Sequence, residues 1–527
     1  MKTVRNRPSD LPGRALTWLT GGTLALNLLL IAGLLTLLAV HGGSAFWPQP
    51  LWLVTLKDGT KLLGEVAREE ETRIQLRVAN RDLTGADFRW VDTSEIAARM
   101  QPTQATLLER LEWGNFQGFP VSLKRGDTTV ADGPEAVWSA LPPLLAVKHR
   151  EAATLKDLEK SEIGSVNREL EALRLTRKRT TGEAELSSLD RQSAALQAKY
   201  EALVADLEAR RSTLLTDTLV MRDASGTMKD ISVGGIVRAV RPNGMGGGEK
   251  LGLYLARVRE FLLDDPRESN TEGGIFPAIF GTVMMVFLMS FAVMPFGVLA
   301  ALYLREYARQ GPFVRAVRIA VNNLAGVPSI VFGVFGLGFF VYVVGGSIDR
   351  LFFAESLPTP TFGTGGILWA ALTLALLTVP VVVVATEEGL AAVPRGVREG
   401  AYALGATKLE TTWKVVLPAA APGILTGMIL AMARAAGEVA PLMIVGMVKL
   451  APSLPIDGQP PFLHLERKFM HLGFHIYDVG FQSPNVEATK PLVFATALLL
   501  IGVITVVNLA AITLRNHLRR RYASSAV

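Results

Sequence analysis

Long apolar runs alternate with charged stretches along this chain, and the first run lies near its N-terminus. From Ala15 to Val40 the sequence is almost unbroken in its apolar character. A helix needs roughly 20 such residues to cross a membrane. A cleaved signal peptide is the alternative interpretation, but its apolar region usually has only about 7–15 residues. The length therefore favours an uncleaved membrane anchor.

Five further apolar runs occur, all in the second half of the chain. They cover residues 275–304, 324–344, 368–385, 424–448 and 491–514. Together with residues 15–40 they predict six transmembrane helices, called spans 1 to 6 in chain order. Residues 41–272 contain no comparable run and form one large insert between spans 1 and 2. The six spans predict an all-α membrane protein, in which residues 273–514 form the main membrane domain.

Lysine and arginine are concentrated beside the apolar runs. They occur in the tail 1–14, between spans 2 and 3, between spans 4 and 5, and in the basic tail 515–527. The positive-inside rule places these segments in the cytoplasm and the insert on the opposite, periplasmic side. It also accounts for the net charge of +6 without a nucleic-acid partner. The predicted protein is multi-pass in the inner membrane, contacts the lipid bilayer, and has both termini in the cytoplasm.

The outward-facing insert combines strand-like and helical patterns, which makes it an α/β domain. Leu51–Leu56 runs into the turn Lys57–Thr60, and Thr218–Arg222 runs into a similar turn. Between them, residues 149–211 place leucine at heptad spacing, interrupted at Thr180–Gly182. We predict a small β module at 51–147 and 212–242 that flanks a helical hairpin at 149–211. One continuous long helix is the alternative.

The segment 386–422, between spans 4 and 5, carries a spaced motif. Its defining residues are Glu399, Gly400, Ala401, Gly405, Leu417 and Pro418. Glycine allows a sharp turn and proline disfavours continuation of a helix. We therefore expect two short helices, 397–403 and 407–416, that are separated by a turn and end before Pro418. The alternative is an ordinary amphipathic connection.

This spacing resembles the EAA loop of ABC importer permeases, whose pattern is E-A-A, three residues, G, nine residues and I-x-L-P. Gly400 and Val415 depart from that pattern, in which alanine and isoleucine occur. The resemblance implies that the six motif residues couple the membrane domain to a separate ATPase. This chain has no Gly-Lys dipeptide, and therefore no Walker A loop of its own. We expect a transport subunit that binds no cofactor, while partner subunits use the ATP.

Three other stretches resemble the PstA-type permease family, a group of type I ABC importer permeases with the MetI-like fold. They are Gly273–Ala278, Asn323–Gly333 and Ala433–Leu442, and the resemblance covers about residues 273–520. It implies import of inorganic phosphate by alternating access. It also implies four partners, namely a second PstC-like permease, two ATP-binding subunits and a periplasmic phosphate-binding protein. The large insert departs from the compact pattern of the family.

A charged pair, Arg434 and Glu438, lies inside predicted span 5. An ionisable group at the bilayer centre costs about 2.5–3.5 kcal/mol on insertion scales. Residues four apart share one helix face, and arginine offers a planar donor fork that suits phosphate oxygens. We predict that the pair belongs to the translocation pathway. A purely structural pair that joins helices is the alternative.

The remaining polar and glycine candidates have simpler interpretations. His471 and His475 are expected to be a surface pair rather than metal ligands, because no third ligand is evident. Glu387 and Glu388 are expected to end span 4 and cap the membrane boundary rather than act as an acid and a base. Close helix packing is expected at Gly333, Gly336 and Gly338. The chain contains no cysteine, which excludes disulfides and cysteine metal sites. Two other functions stay open: an importer of another oxyanion or an organophosphonate, and a membrane sensor or scaffold with a periplasmic ligand-sensing domain.

Overall fold

The structure is a computed structural model that describes residues 11–267, 270–483 and 486–523. Side chains are described except at residues 11–15 and 518–523. The side chains of most basic residues in the two predicted tails, 1–14 and 515–527, lie outside this description. Within it, the chain forms a helical membrane part and a sheet-rich part, and the latter is built from residues 51–240.

Six helices are long and apolar enough to cross a membrane. They are Leu16–Ser44, Phe276–Tyr307, Ser329–Phe352, Ile367–Ala392, Lys408–Gly437 and Val486–His517. The six-span prediction is therefore supported, but spans 3, 4 and 5 differ from their predicted bounds: span 4 extends to Ala392 rather than 385, and span 5 begins at Lys408 rather than 424. Span 3 begins at Ser329 rather than 324, because Ala325–Pro328 is not helical and separates it from the amphipathic helix Pro312–Leu324. Span 5 ends at Gly437 rather than 448.

Spans 2, 4 and 5 enclose the main core of the membrane part. Met285, Met289 and Leu374 belong to one buried cluster with residues of span 5. Small residues allow spans 4 and 5 to approach closely: a Cβ atom on Gly423 would lie 2.6 Å from the Cα of Gly389. Span 1 lies outside this core and packs against span 6.

The sheet-rich part contains two antiparallel sheets. The first consists of β1 Leu51–Leu56, β2 Lys61–Glu69, β3 Arg73–Arg77, β4 Phe88–Asp92 and β5 Ile96–Met100. The second consists of β6 Thr106–Arg110, β7 Phe116–Arg125, β8 Thr128–Asp132, β9 Asp217–Arg222, β10 Met228–Ser232 and β11 Ile236–Val240. Helix Gly247–Leu263 follows and leads toward span 2.

The two sheets repeat one topology. Their strand orders are β4-β3-β2-β1-β5 and β10-β9-β7-β6-β11, and β8 pairs only with β7. A short 3₁₀ turn precedes the last strand of each. Gly64 and Gly118 occupy equivalent ladder positions, and in both a Cβ atom would lie under 3 Å from the carbonyl oxygen that ends the neighbouring strand. The β module is therefore a tandem repeat, and the helices are inserted into its second copy.

The helical insertion begins earlier than predicted. Helix Pro134–Asp157 continues through a π-helical turn at Leu158–Ile163 into helix Gly164–Arg179. After Thr180–Gly182 the chain reverses into helix Glu183–Leu214. The predicted assignment of residues 134–147 to the β module is wrong. Burial of Val137, Leu141 and Leu145 against the second sheet stabilises a helix there despite two internal prolines.

The hairpin contacts the membrane part at both of its ends. Near its base, the Lys156 ammonium lies 2.7 Å from the Asp265 carboxylate, which follows helix Gly247–Leu263. At its tip, Arg179 pairs with Glu355, and Lys178 donates a hydrogen bond to the carbonyl of Leu357. Glu355 lies in the segment that joins spans 3 and 4. The hairpin therefore bridges the β module and this connecting segment.

Candidate coupling and translocation sites

The segment between spans 4 and 5 folds into a short helix that ends in a tight turn. The helix, Arg395–Ala403, follows Pro394 and closes with two hydrogen bonds, Ala406 N–H to Ala401 C=O and Gly405 N–H to Tyr402 C=O. This pattern is a Schellman motif, which needs a left-handed residue. Gly405 supplies it with φ of +85°. The predicted turn at Gly405 therefore has a specific conformational cause.

The second helix of this segment does not end at Pro418. Thr407 and Glu410 form a reciprocal capping box, and the helix then runs without a break from Lys408 to Gly437. A π-helical stretch at Thr411–Val416 comes directly before Leu417 and Pro418. The hydrogen-bond pattern changes from π-helical to α-helical at this point. Pro418 is tolerated in the first α-helical turn after the change, because its missing N–H is not needed there. The expectation of a separate short helix is wrong.

Arg398 fixes the first helix to the membrane part. Its guanidinium donates hydrogen bonds to the carbonyls of Val393 (2.7 Å) and Leu390 (2.8 Å) and to the carboxylate of Glu306 (3.1 Å). Glu306 lies at the end of span 2 and Leu390 in the last turn of span 4. One side chain thus ties the loop to two spans. Sequence reasoning missed this residue, because its acidic partner lies far away in the chain.

Apolar side chains cover the tip of the loop. Leu404 is 90% exposed and Leu409 is 60% exposed, and Tyr402 and Trp413 are about half exposed. Glu399 and Gly400 are also exposed, while Ala401 is half-buried. Large apolar side chains exposed together mark an interaction surface. Glu399, Gly400, Ala401 and Gly405 therefore belong to an anchored knob with an exposed apolar face, whereas Leu417 and Pro418 are half-buried in the helix that follows it.

Glu387 and Glu388 do not end span 4. The span continues to Ala392, and Glu387 pairs at 3.1 Å with Arg318 of the helix Pro312–Leu324. Glu387 therefore joins this amphipathic helix to span 4. The prediction that span 4 ends at these two residues is wrong, and their position at the membrane boundary stays a prediction.

Span 5 is interrupted at the predicted charged pair. Its helix ends at Gly437, Glu438 is extended with ψ of 134°, and a short helix begins at Ala440. Pro441 contributes to the break, because in a continuous helix its ring would clash with the carbonyl of Gly437 and its nitrogen could not donate a hydrogen bond to it. Arg434 lies in the last helical turn, with its Nε 3.7 Å from the Glu438 carboxylate. The two residues thus meet across a helix end, and not on one continuous face.

The break lies within the thickness of the membrane part. Toward the coupling loop, a Cβ atom on Gly427 would contact Ala385 of span 4. Toward the insert, a Cβ atom on Gly446 would contact Gly366, just before span 4 begins. Glu438 lies between these two levels. Non-helical backbone at such depth is tolerated only inside protein or along a water-filled cavity.

The interruption before span 3 lies beside the same core. Leu324 and Val327 pack against the buried cluster that Val439 also contacts. Two of the three predicted packing glycines lie here at close contacts: Gly333 meets Pro441, and Gly336 meets Thr373. A Cβ atom on Gly338 would have no neighbour within 4 Å among the described residues. Close packing thus applies to the first two glycines only.

Known proteins similar to this chain are permeases. Residues 293–524 match the family described as binding-protein-dependent transport system inner membrane component. The probable phosphate transport system permease protein PstA of Methanocaldococcus jannaschii is 36% identical over 222 residues, which are 41% of this chain and 67% of that protein. PstA 1 of Mycobacterium tuberculosis (strain CDC 1551 / Oshkosh) is 34% identical over 47% of this chain and 73% of its own length.

This chain belongs to the PstA-type permease family. The membrane part therefore carries the family relationship, as the sequence motifs predicted. The segment that matches the family model begins at residue 293, so the tandem β module and its hairpin lie outside it. In this PstA-type permease the matched segment includes the coupling loop, the non-helical residues Ala325–Pro328 before span 3 and the interruption of span 5 at Glu438.

The histidine pair of this PstA-type permease is not on the surface. His471 and His475 are each only 1% exposed, on and beside the short helix Leu472–Tyr477. Burial lowers the pKa of each imidazole to about 4. Within the described residues no group of three or more His, Asp or Glu side chains is arranged to hold a metal ion. The surface prediction is wrong, because the segment after span 5 folds back between the spans.

Proposed function

We propose that this chain is the permease subunit of an ATP-driven importer that moves inorganic phosphate across the inner membrane. Two similarities support this proposal: the relatives are phosphate transport permeases, and the coupling loop keeps the spacing of importer permeases. The observation that carries it is the anchored knob at Tyr402–Leu409, because exposed apolar side chains on a rigid turn suit a docking surface for a motor protein.

The proposed assembly has four other subunits. A second PstC-like permease would complete the pathway, two ATP-binding subunits would bind the coupling loops, and a periplasmic phosphate-binding protein would deliver the cargo. The loop and both termini would face the cytoplasm, and the β module with its hairpin the periplasm. The arginines around the loop, including Arg395 and Arg398, support this orientation.

The continuous helix Lys408–Gly437 suggests how coupling reaches the pathway. Its 30 residues correspond to a rod of about 45 Å, with the docking surface at one end and Arg434 at the other. Closure of the ATP-bound motors would displace the knob, and the rod would carry this displacement to the interruption at Glu438. Alternating access would then follow from movement of the half-helices around that point.

Arg434 is the proposed phosphate ligand within the pathway, and Glu438 its alternative partner. The distance of 3.7 Å between them is longer than a hydrogen bond, so the guanidinium donors are not committed to the carboxylate. The helix C-terminus also favours a cation at Arg434, because the helix dipole carries partial negative charge at that end. Phosphate oxygens would take the guanidinium donors during passage, and Glu438 would hold the arginine afterwards.

The test is uptake of radiolabelled phosphate into proteoliposomes that contain the complete transporter. We expect ATP-dependent uptake that a tenfold excess of unlabelled phosphate strongly suppresses and that equal excesses of molybdate or methylphosphonate leave largely intact. Stronger competition by either of those compounds would reassign the cargo. Absence of any ATP-dependent uptake in the assembled complex would contradict the importer itself.

A further inference from the structure

A deep cleft separates the first sheet from the membrane part. Its volume is about 610 Å³, within the range of small-molecule sites. One wall consists of β2 and β3, and the other of the last residues of span 1 and the first residues of span 6. Trp47 and Phe494 supply apolar surface there, and Trp47 is 41% exposed. The cleft therefore opens at the level where the spans leave the membrane, on the side that carries the β module.

Glu65 lies in this cleft without a hydrogen-bond donor. Its side chain is only 15% exposed, and none of the described residues donates a hydrogen bond to its carboxylate. Burial raises its pKa above the ordinary range for glutamate. The nearest cation, Arg77, has its guanidinium 4.0 Å away, beyond hydrogen-bond distance. A buried carboxylate without donors is costly, so this group is suited to a ligand that brings N–H donors.

Cationic side chains that make no hydrogen bond to a buried acid line the same cleft. The Arg77 side chain makes no hydrogen bond within the described part of the chain, and Arg68 and Lys490 are each more than half exposed. Arg257 differs, because two bonds to Glu109 and one to the carbonyl of Phe46 occupy it. The cleft thus offers one unsatisfied carboxylate next to guanidinium donors that are available to an anion.

We propose that this cleft binds the headgroup of a membrane phospholipid that carries a primary ammonium beside its phosphate, as phosphatidylethanolamine does. The ammonium would donate to Glu65, and the phosphate would accept from Arg77. These two side chains are adjacent, as are the two charges of such a headgroup. A choline headgroup has no N–H donor and would leave Glu65 unsatisfied.

The position of the cleft favours a lipid over a soluble zwitterion. Pro491, Leu492 and Phe494 begin the apolar run of span 6, and they line the membrane side of the opening. Acyl chains of a lipid would lie along this apolar surface while its headgroup entered the polar interior. An aromatic residue such as Trp47 is typical of the membrane–water interface. The occupant would join the β module to the spans, independently of the transported cargo.

The experiment uses the full-length chain in nanodiscs that contain equal amounts of phosphatidylethanolamine, phosphatidylcholine and phosphatidylglycerol. After brief delipidation, native mass spectrometry measures the lipids retained. We expect the wild-type chain to retain phosphatidylethanolamine preferentially. Glu65→Gln should lower that preference about tenfold, because a hydrogen bond between charged groups is lost. Arg77→Gln should lower retention of all three lipids, because each carries a phosphate.

Glu71→Gln is the matched control, since it removes an exposed carboxylate from the turn beside β2. It should retain lipids as the wild type does. Glu65→Asp keeps the charge and should keep part of the preference, which covers the case in which Glu65→Gln fails to fold. Equal retention of the three lipids by the wild type, or an unchanged preference in Glu65→Gln, would overturn the proposal. Displacement by soluble phosphoethanolamine at lipid-equivalent concentration would overturn the assignment to a lipid.

Discussion

Gly405 allows a direct test of how the coupling loop works, because a side chain added there would contact no neighbouring residue in the part of the chain that the structure describes and would affect only the left-handed backbone conformation. Its φ is +85°, and a Cβ atom placed there would have no neighbour within 4 Å among the described residues. A substitution therefore acts only through the backbone. Gly405→Asn, Gly405→Ala and Gly405→Val form a series in which the left-handed conformation becomes progressively less favourable.

The expected magnitude follows from that conformational cost. An alanine in the left-handed region costs about 1–2 kcal/mol relative to glycine, which lowers the population of the native turn roughly 5–30-fold. Asparagine visits this region more readily, and valine less, since a branched side chain crowds the backbone. We expect uptake to be nearly normal in Gly405→Asn, clearly reduced in Gly405→Ala and abolished in Gly405→Val.

Gly400→Ala is the control for this series. It adds the same methyl group five residues earlier, inside the helix Arg395–Ala403 and also without a neighbour within 4 Å among the described residues. Alanine stabilises a helix by about 0.5–1 kcal/mol over glycine, so this variant should transport normally. Phosphate uptake and copurification of the ATPase subunits are measured at matched membrane abundance. Normal uptake by Gly405→Val would refute the coupling role of the turn.

Three further predictions concern the pathway, the insert and the buried histidines. Arg434→Lys should assemble but take up little phosphate. The double variant Arg434→Ala with Glu438→Ala leaves no unpaired charge, so it should assemble and show basal ATPase activity but no uptake. Normal uptake by this double variant would make the pair structural. Replacing residues 155–207 with a short Gly/Ser linker keeps Val137, Leu141 and Leu145 on the second sheet and should leave both sheets folded, as measured by circular dichroism and membrane insertion; a chain that fails to insert would contradict the hairpin. His471 and His475 are buried and neutral, with a pKa of about 4 in the folded protein against about 6.5 in the unfolded chain. The free energy of unfolding should therefore be highest above pH 6.5 and fall as the pH drops toward 4, by roughly 3 kcal/mol per histidine. Thermal unfolding in detergent should show this loss, and His475→Gln should reduce it.

Much of the membrane part was predictable, because hydropathy and charge act locally along the chain. A 20-residue apolar run has few alternatives to a transmembrane helix, and the spacing around Gly405 specified the turn. The interruption at Glu438 was harder to predict from the sequence. Gly437 and Pro441 both signal it, but the surrounding run is so apolar that a continuous span was expected.

Features that depend on tertiary packing were not predictable in the same way. Pro418 is tolerated by a change in helical register, and residues 134–147 are helical because their apolar face is buried against a sheet. The tandem sheets did leave a sequence signal. Phe88–Pro102 and Met228–Pro242 have equal length, with isoleucine and proline at matching positions, and a search for internal repeats would have found it.

The central claim is that this chain couples ATP hydrolysis by partner subunits to phosphate entry. Its most direct test is the ATPase rate of the complex reconstituted with the second permease, two ATP-binding subunits and the periplasmic phosphate-binding protein. We expect the phosphate-loaded binding protein to stimulate hydrolysis, and Gly405→Val to remove the stimulation without loss of assembly. An assembled complex that hydrolyses ATP at the same rate with and without phosphate-loaded binding protein would contradict the account.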